Sequence, residues 1–100
     1  MAKSHAHARR LREVLKLFAL FSHPIRVVIF QRLARQPTTA SVLARQLPVS
    51  RVAVVQHIKL LERAGLLAGL RDGKGRVYHV RPEGLRALVR WLAIHGATGS

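Results

Sequence analysis

The residues best suited to recognition chemistry lie between Ser50 and Arg63. Set 100° apart, as on an α-helix, Val54, Ile58 and Leu61 fall on one side with His57 flanking them. Val52, Val55, Gln56, Lys59 and Arg63 fall on the other, with Arg51 and Ala53 at its edges near the N-terminus. The first set is a core stripe and the second a reading face. Glutamine pairs with adenine through two hydrogen bonds and arginine reaches guanine or phosphate, so Gln56 and Arg51 suit the edges of bases in a DNA major groove. Lys59 and Arg63 suit phosphate, where a cation adds affinity without sequence information. Val52 and Val55 are open to two readings: apolar contact with thymine methyl groups, or a buried contact with another part of the protein.

Such a helix needs neighbours that hold it. Leu11, Val14, Leu15 and Phe18 recur at i, i+3, i+4 and i+7, which predicts an amphipathic helix from about Ala8. Residues 1–7 show no periodicity and are expected to be mobile. Ser22 is placed to cap a second helix, with Pro24 in its first turn and Ile25, Val28, Ile29 and Leu33 as its apolar stripe. Thr38-Thr39-Ala40-Ser41 offers caps for a short third helix that Pro48 closes. Ser50 caps the fourth helix, which runs to about Ala64, and Gly65 ends it where a left-handed residue is usually needed. Leu66–Leu70 and Arg76–Val80 then read as strands around a glycine-containing loop. Pro82-Glu83 starts a last helix with Leu85, Leu88, Val89 and Leu92 on one side, and residues 96–100 form a tail. The order predicts a mainly α winged helix-turn-helix, about five helices plus a two-stranded wing, in one domain over residues 8–95.

Composition narrows the partner. The 100 residues hold 18 Lys and Arg against 4 Asp and Glu, a formal charge of +14, yet 49% are hydrophobic. A chain this basic and this apolar is a folded binder of polyanions. Residues 45–76, with the reading helix and wing, hold seven cations and two acids, whereas residues 1–35 hold eight and one. The excess therefore surrounds the reading helix, supplying affinity while its partly apolar face supplies selection. No cysteine is present, which excludes disulfides, zinc ribbons and thiol switches. No apolar run approaches the roughly 18 residues of a spanning helix. The Arg-rich start imitates a mitochondrial transit peptide in composition, but the domain can hardly spare its first helix, so a soluble cytoplasmic protein without membrane contact is expected.

Three stretches resemble one family. Ser50 to Leu66 looks like the recognition-helix signature of the ArsR/SmtB winged-helix repressors, Phe18 to Arg26 is similar to that family's approach to its second helix, and Arg71 to Val80 resembles its wing. The resemblance spans about residues 11–94. It implies a homodimeric, DNA-binding repressor whose first and last helices form the dimer interface, acting on a palindromic operator. Candidate DNA contacts are then Ser41, Ser50, Arg51, Val52, Ala53, Val55, Gln56, Lys59 and Arg63, with Arg71, Lys74 and Arg76 on the wing. Candidate dimer contacts are Leu11, Leu15, Phe18, Leu85, Leu88, Trp91 and Leu92, since so small a domain cannot bury both end helices alone. Two positions depart from the family. Val52 stands where Pro or a polar residue is usual and Val55 where Ser is usual, which removes one expected hydrogen bond to DNA.

Other chemistry is thin. The family's metal sensors use Cys pairs or Asp and His sets on the last helix, whereas here that helix offers only Glu83 and His95, twelve positions apart. His5 and His7 are weak ligands at best, His23 and His57 read as packing residues, and His79 is expected to be exposed. No metal site or cofactor is expected, and any effector is unspecified. Glu13, Glu62, Asp72 and Glu83 are dispersed among cations and make no catalytic set, so the chain is not read as an enzyme. Two further readings stand beside the repressor: a metal- or ligand-responsive sensor of the same fold, and a protein-interaction module that does not read DNA.

Overall fold

The computed structural model describes residues 2–73 and 75–96. In chain order it contains α1 (Ala2–Phe21), α2 (Pro24–Arg35), β1 (Thr38–Thr39), α3 (Ala40–Gln46), α4 (Arg51–Arg63), β2 (Leu67–Asp72), β3 (Gly75–Val80), a 3₁₀ turn (Pro82–Leu85) and α5 (Arg86–His95). Lys74 and the tail from residue 97 onward lie outside the described residues.

The fold is the mainly helical winged helix-turn-helix that the element order predicts, with one strand more than expected. The sheet is antiparallel and ordered β1-β3-β2. β2 pairs with β3 from Leu67↔Val80 to Asp72↔Gly75, and on the other edge Thr38 and Thr39 pair with Tyr78 and Val77. The threonines thus serve twice. They form the third strand, and Thr39 Oγ1 accepts a hydrogen bond from the Val42 amide at 3.2 Å as the N-cap of α3.

Two helix starts differ from expectation. α1 begins at Ala2, six residues before the apolar period sets in. Ser22 does not cap α2; its hydroxyl donates to the Ala19 carbonyl at 2.7 Å and so finishes α1, while His23 holds the N-cap position of α2 without a side-chain bond. Pro24 supplies a fixed φ at the first helical position, so α2 starts without a hydroxyl acceptor.

The core lies where α2, α3 and α4 meet the sheet. Ile29, Leu33, Leu43, Val54, Ile58, Leu61 and Leu66 are fully enclosed, with Leu17 of α1 and Tyr78 of β3 at the margin. No polar side chain among the described residues is buried. Gly65, at φ +79°, takes the left-handed turn that ends α4 and delivers Leu66 and Leu67 into this core. The envelope measures 49 × 30 × 19 Å, and α1, at 20 residues, runs about 30 Å. No helix of the described residues is long and apolar enough to cross a membrane.

Candidate nucleic-acid interface

The reading helix is fixed at both ends and along one side. At its start the Ser50 hydroxyl accepts a hydrogen bond from the Ala53 amide at 3.1 Å, satisfying a donor that the first turn leaves free. Val54, Ile58 and Leu61 point into the core, all at 0% exposure. What remains outside is a stripe at i, i+4, i+7 and i+11: Val52, Gln56, Lys59 and Arg63, all exposed, with Arg51 beside its start. The twelve residues from Val52 to Arg63 span roughly 16 Å of helix, enough to lie along a major groove about 12 Å wide.

The two valines take different surroundings. Val52 is 68% exposed, whereas Val55 is half-buried and packs against the core cluster, as Ala53 is half-buried nearby. Val55 stands 60° off the stripe and turns toward the body, so the outward apolar contribution of α4 comes from Val52. Leu60, 37% exposed, lies off the stripe on the other side, beside Lys16, Ala19 and Leu20 of α1 and Arg26 of α2. Ser41, in the first turn of α3, is half-buried.

Behind the helix stands a polar clasp that only the tertiary structure reveals. Arg26 of α2 donates from Nε to His57 Nδ1 at 3.2 Å and from Nη1 to the Leu20 carbonyl at 3.3 Å, joining α1, α2 and α4. The His23 ring lies 4.6 Å from that of His57. A ring accepting at Nδ1 carries its proton on Nε2 when neutral. Burial first, then the charges of His23 and Arg26, hold His57 below the ordinary imidazole value.

On the wing, Arg71 and Arg76 sit directly opposite each other across the β2–β3 ladder. Like charges so placed repel. Arg76 resolves this by folding back: its side chain crosses the space above Gly69, which only a residue without a Cβ leaves open, and its Nη2 reaches Glu62 of α4 at 3.7 Å. Both arginines thus stay exposed, Arg71 near the tip and Arg76 beside Glu62 with 54% of its side chain open. His79, expected outside, is half-buried on β3.

The end helices present a separate, apolar surface. Leu11, Leu15 and Phe18 of α1 and Leu92 of α5 are 42–55% exposed, while Leu85, Leu88 and Trp91 are half-buried. Phe18 meets Trp91 edge to face at 5.6 Å within the same chain. Val89 and Ile94, at 59% and 58%, extend the exposed apolar area beyond the residues the sequence put forward. Among the described residues no three His, Asp or Glu side chains come together as a metal site.

A helix pair with a capped, cationic second member, followed by a β-hairpin, makes the chain a winged helix-turn-helix protein. Known proteins agree. A family model described as a helix-turn-helix domain matches residues 21–69. Over 63 residues the chain is 49% identical to the HTH-type transcriptional regulator Rv2034 of Mycobacterium tuberculosis, covering 63% of this chain and 59% of that one. Over 58 residues it is 40% identical to the HTH-type transcriptional regulator MJ0229 of Methanocaldococcus jannaschii, covering 58% and 61%. The solved structure of an ArsR-like transcriptional regulator from Rhodococcus sp. RHA1 superimposes with a TM-score of 0.76 at 33% identity, over 88% of this chain and 83% of that one. The chain belongs to the ArsR-like family of winged helix-turn-helix transcriptional regulators, which are not enzymes. It spans about three fifths of the length of the curated relatives it matches.

Proposed function

We propose that the chain is a cytoplasmic transcription regulator that binds double-stranded DNA as a homodimer and represses from a palindromic operator. One observation carries the reading: α4 is anchored by a buried stripe and presents the opposite stripe of Val52, Gln56, Lys59 and Arg63 on a body of net charge +14. Gln56 and Arg51 read bases, Val52 meets thymine methyls, and Lys59 and Arg63 neutralise phosphates. Arg71 follows the backbone from the wing, and Arg76 keeps α4 and wing in register. The apolar faces of α1 and α5 join two copies, so two reading helices meet half-sites about one DNA turn apart.

Selection of bound fragments from a random duplex pool tests this directly. A palindrome with half-sites centred about 10 base pairs apart is the expected product. Enrichment of no sequence, with binding that vanishes uniformly as salt rises, overturns the reading, because that is bare polyanion attraction. Sedimentation equilibrium tests the pairing, and a monomer at all concentrations refutes it. The exposure of Val52 also favours a second reading, a surface for a partner protein. In that case the pool returns nothing while Val52→Asp abolishes the protein complex.

A further inference from the structure

A second concavity adjoins the C-terminal end of the reading helix and shares Arg63 with its outward stripe. α1, the C-terminal end of α4 and α5 enclose a groove of about 880 Å³, within the range that small-molecule sites occupy. Its floor is apolar, with Val14 and Leu17 from α1 and Ala87, Trp91 and Ile94 from α5. Trp91 is set in place by two rings, Phe18 at 5.6 Å and His95 at 4.9 Å. The rim is cationic: Arg10 from α1, Arg63 from α4, and Arg86 and Arg90 from α5. Two acids share the lining, Glu13 and Glu83, and Glu83 is taken by Arg81 at 2.9 Å. None of the four rim arginines forms an ion pair with a carboxylate of the described residues. Arg63 also offsets the partial negative charge at the C-terminal end of α4.

An apolar floor beneath several arginines without carboxylate partners defines its occupant by complementarity. The floor accepts a hydrocarbon or aromatic body and excludes water from it; the rim accepts a single anionic head, for which the planar guanidinium fork is the geometric match. We propose that this groove binds an apolar carboxylic acid, its body on Trp91 and its carboxylate among Arg86, Arg90 and Arg63. The groove borders the surface assigned above to pairing and shares Leu11 and Trp91 with it. On α5, Ala87, Trp91 and Ile94 fall within about 60° of one another, and Leu88 and Leu92 are turned roughly 100° away. Because Arg63 and Ala64 belong to the last turn and cap of α4, occupancy is passed to the reading helix. That link, unlike binding itself, rests on the DNA reading.

Trp91 is the chain's one tryptophan, so its fluorescence reports occupancy of the groove. The test titrates the full chain with octanoate at neutral pH, with octan-1-ol as the uncharged match. Octanoate is expected to change the emission saturably and to bind at least tenfold more tightly than the alcohol. Arg86→Gln with Arg90→Gln, checked for folding by circular dichroism, should weaken octanoate about tenfold and leave octan-1-ol unchanged, the loss expected for one charge-assisted contact. No saturable response, or equal affinity for acid and alcohol, overturns the proposal. So does an emission change that follows protein concentration and ignores octanoate, since a second copy is then the occupant. Operator affinity measured first without acid judges the DNA reading separately. At saturating octanoate it should shift threefold or more, and an unchanged affinity beside a saturable Trp91 response overturns the link to α4.

Discussion

Val52 and Val54 sit two residues apart on α4 with opposite surroundings, which makes their alanine substitutions a controlled pair. Each change removes the same two carbons and brings the same gain in helix propensity, a few tenths of a kcal/mol. Val54 is 0% exposed. At about 0.8 kcal/mol for each buried carbon, Val54→Ala loses about 1.6 kcal/mol before any residual cavity is counted, for a net loss of about 1.5–2 kcal/mol. Val52 is 68% exposed, so only about a third of its surface is covered. Its loss of about 0.5 kcal/mol is cancelled by the propensity gain, and stability should stay within about 0.5 kcal/mol of the parent. In a domain of this size the contrast is roughly 6–15 °C in Tm for Val54→Ala and almost none for Val52→Ala. Urea unfolding resolves both, at fixed protein concentration because a dimer's midpoint moves with it. DNA affinity should reverse the order. Two lost thymine-methyl contacts per dimer weaken operator binding about tenfold in Val52→Ala, while folded Val54→Ala binds as the parent does. Equal destabilisation by the two substitutions would refute the assignment of faces. Unchanged operator affinity in Val52→Ala would remove Val52 from the reading surface.

Three further outcomes follow from local geometry. Ser50→Ala removes the acceptor of the Ala53 amide and should cost about 1 kcal/mol in urea unfolding; Ser50→Asp should restore the cap yet weaken DNA binding by placing a negative charge toward phosphates, and equal DNA affinity for both variants would contradict the placement of this end of α4. Gly65→Ala meets no atom within 4 Å, so its cost is the left-handed backbone alone, about 1–2 kcal/mol; a neutral substitution would mean that α4 need not end there. His57 in the folded chain titrates below the unfolded value of 6.5, so its contribution to stability is complete above that pH and is lost as pH falls through the lowered folded value. The urea midpoint should therefore fall more steeply between pH 7 and 5 in the parent than in His57→Asn, which keeps an acceptor for Arg26 without titrating; parallel profiles would contradict the assignment.

Legibility in the sequence followed how local each cause was. The Ser50 cap, the Gly65 turn and the buried stripe of Val54, Ile58 and Leu61 were readable because each depends on residues within one or two turns. β1 was not. Two threonines show no period, and what makes them a strand is Tyr78 and Val77, some forty positions later. Ser22 looked like a cap for α2 because a hydroxyl before a proline is a good cap, but the carbonyl of Ala19 was nearer at hand. The early start of α1 was hidden because residues 2–7 carry no apolar period, only residues compatible with a helix. At the candidate interface, the cations of α4 are exposed, where helical phase puts them. The inward turn of Val55, the Arg26–His57 bond and the contact of Arg76 with Glu62 all depend on partners from other elements, which helical phase alone does not supply.

α5 differs from the other α-helices in one respect: it places no side chain fully inside the core. Its attachment rests on half-covered residues, Ala87 and Leu88 against the core cluster and Trp91 against Phe18 of α1. A segment held this way opens by local unfolding at a smaller free energy than the body does, and its backbone amides exchange with solvent ahead of those in α4. The shortfall is made up only by what covers the helix from outside. The fraction of time α5 spends detached is therefore a property of its surroundings as much as of its sequence, and its exchange rate is a gauge of whether the end helices are covered.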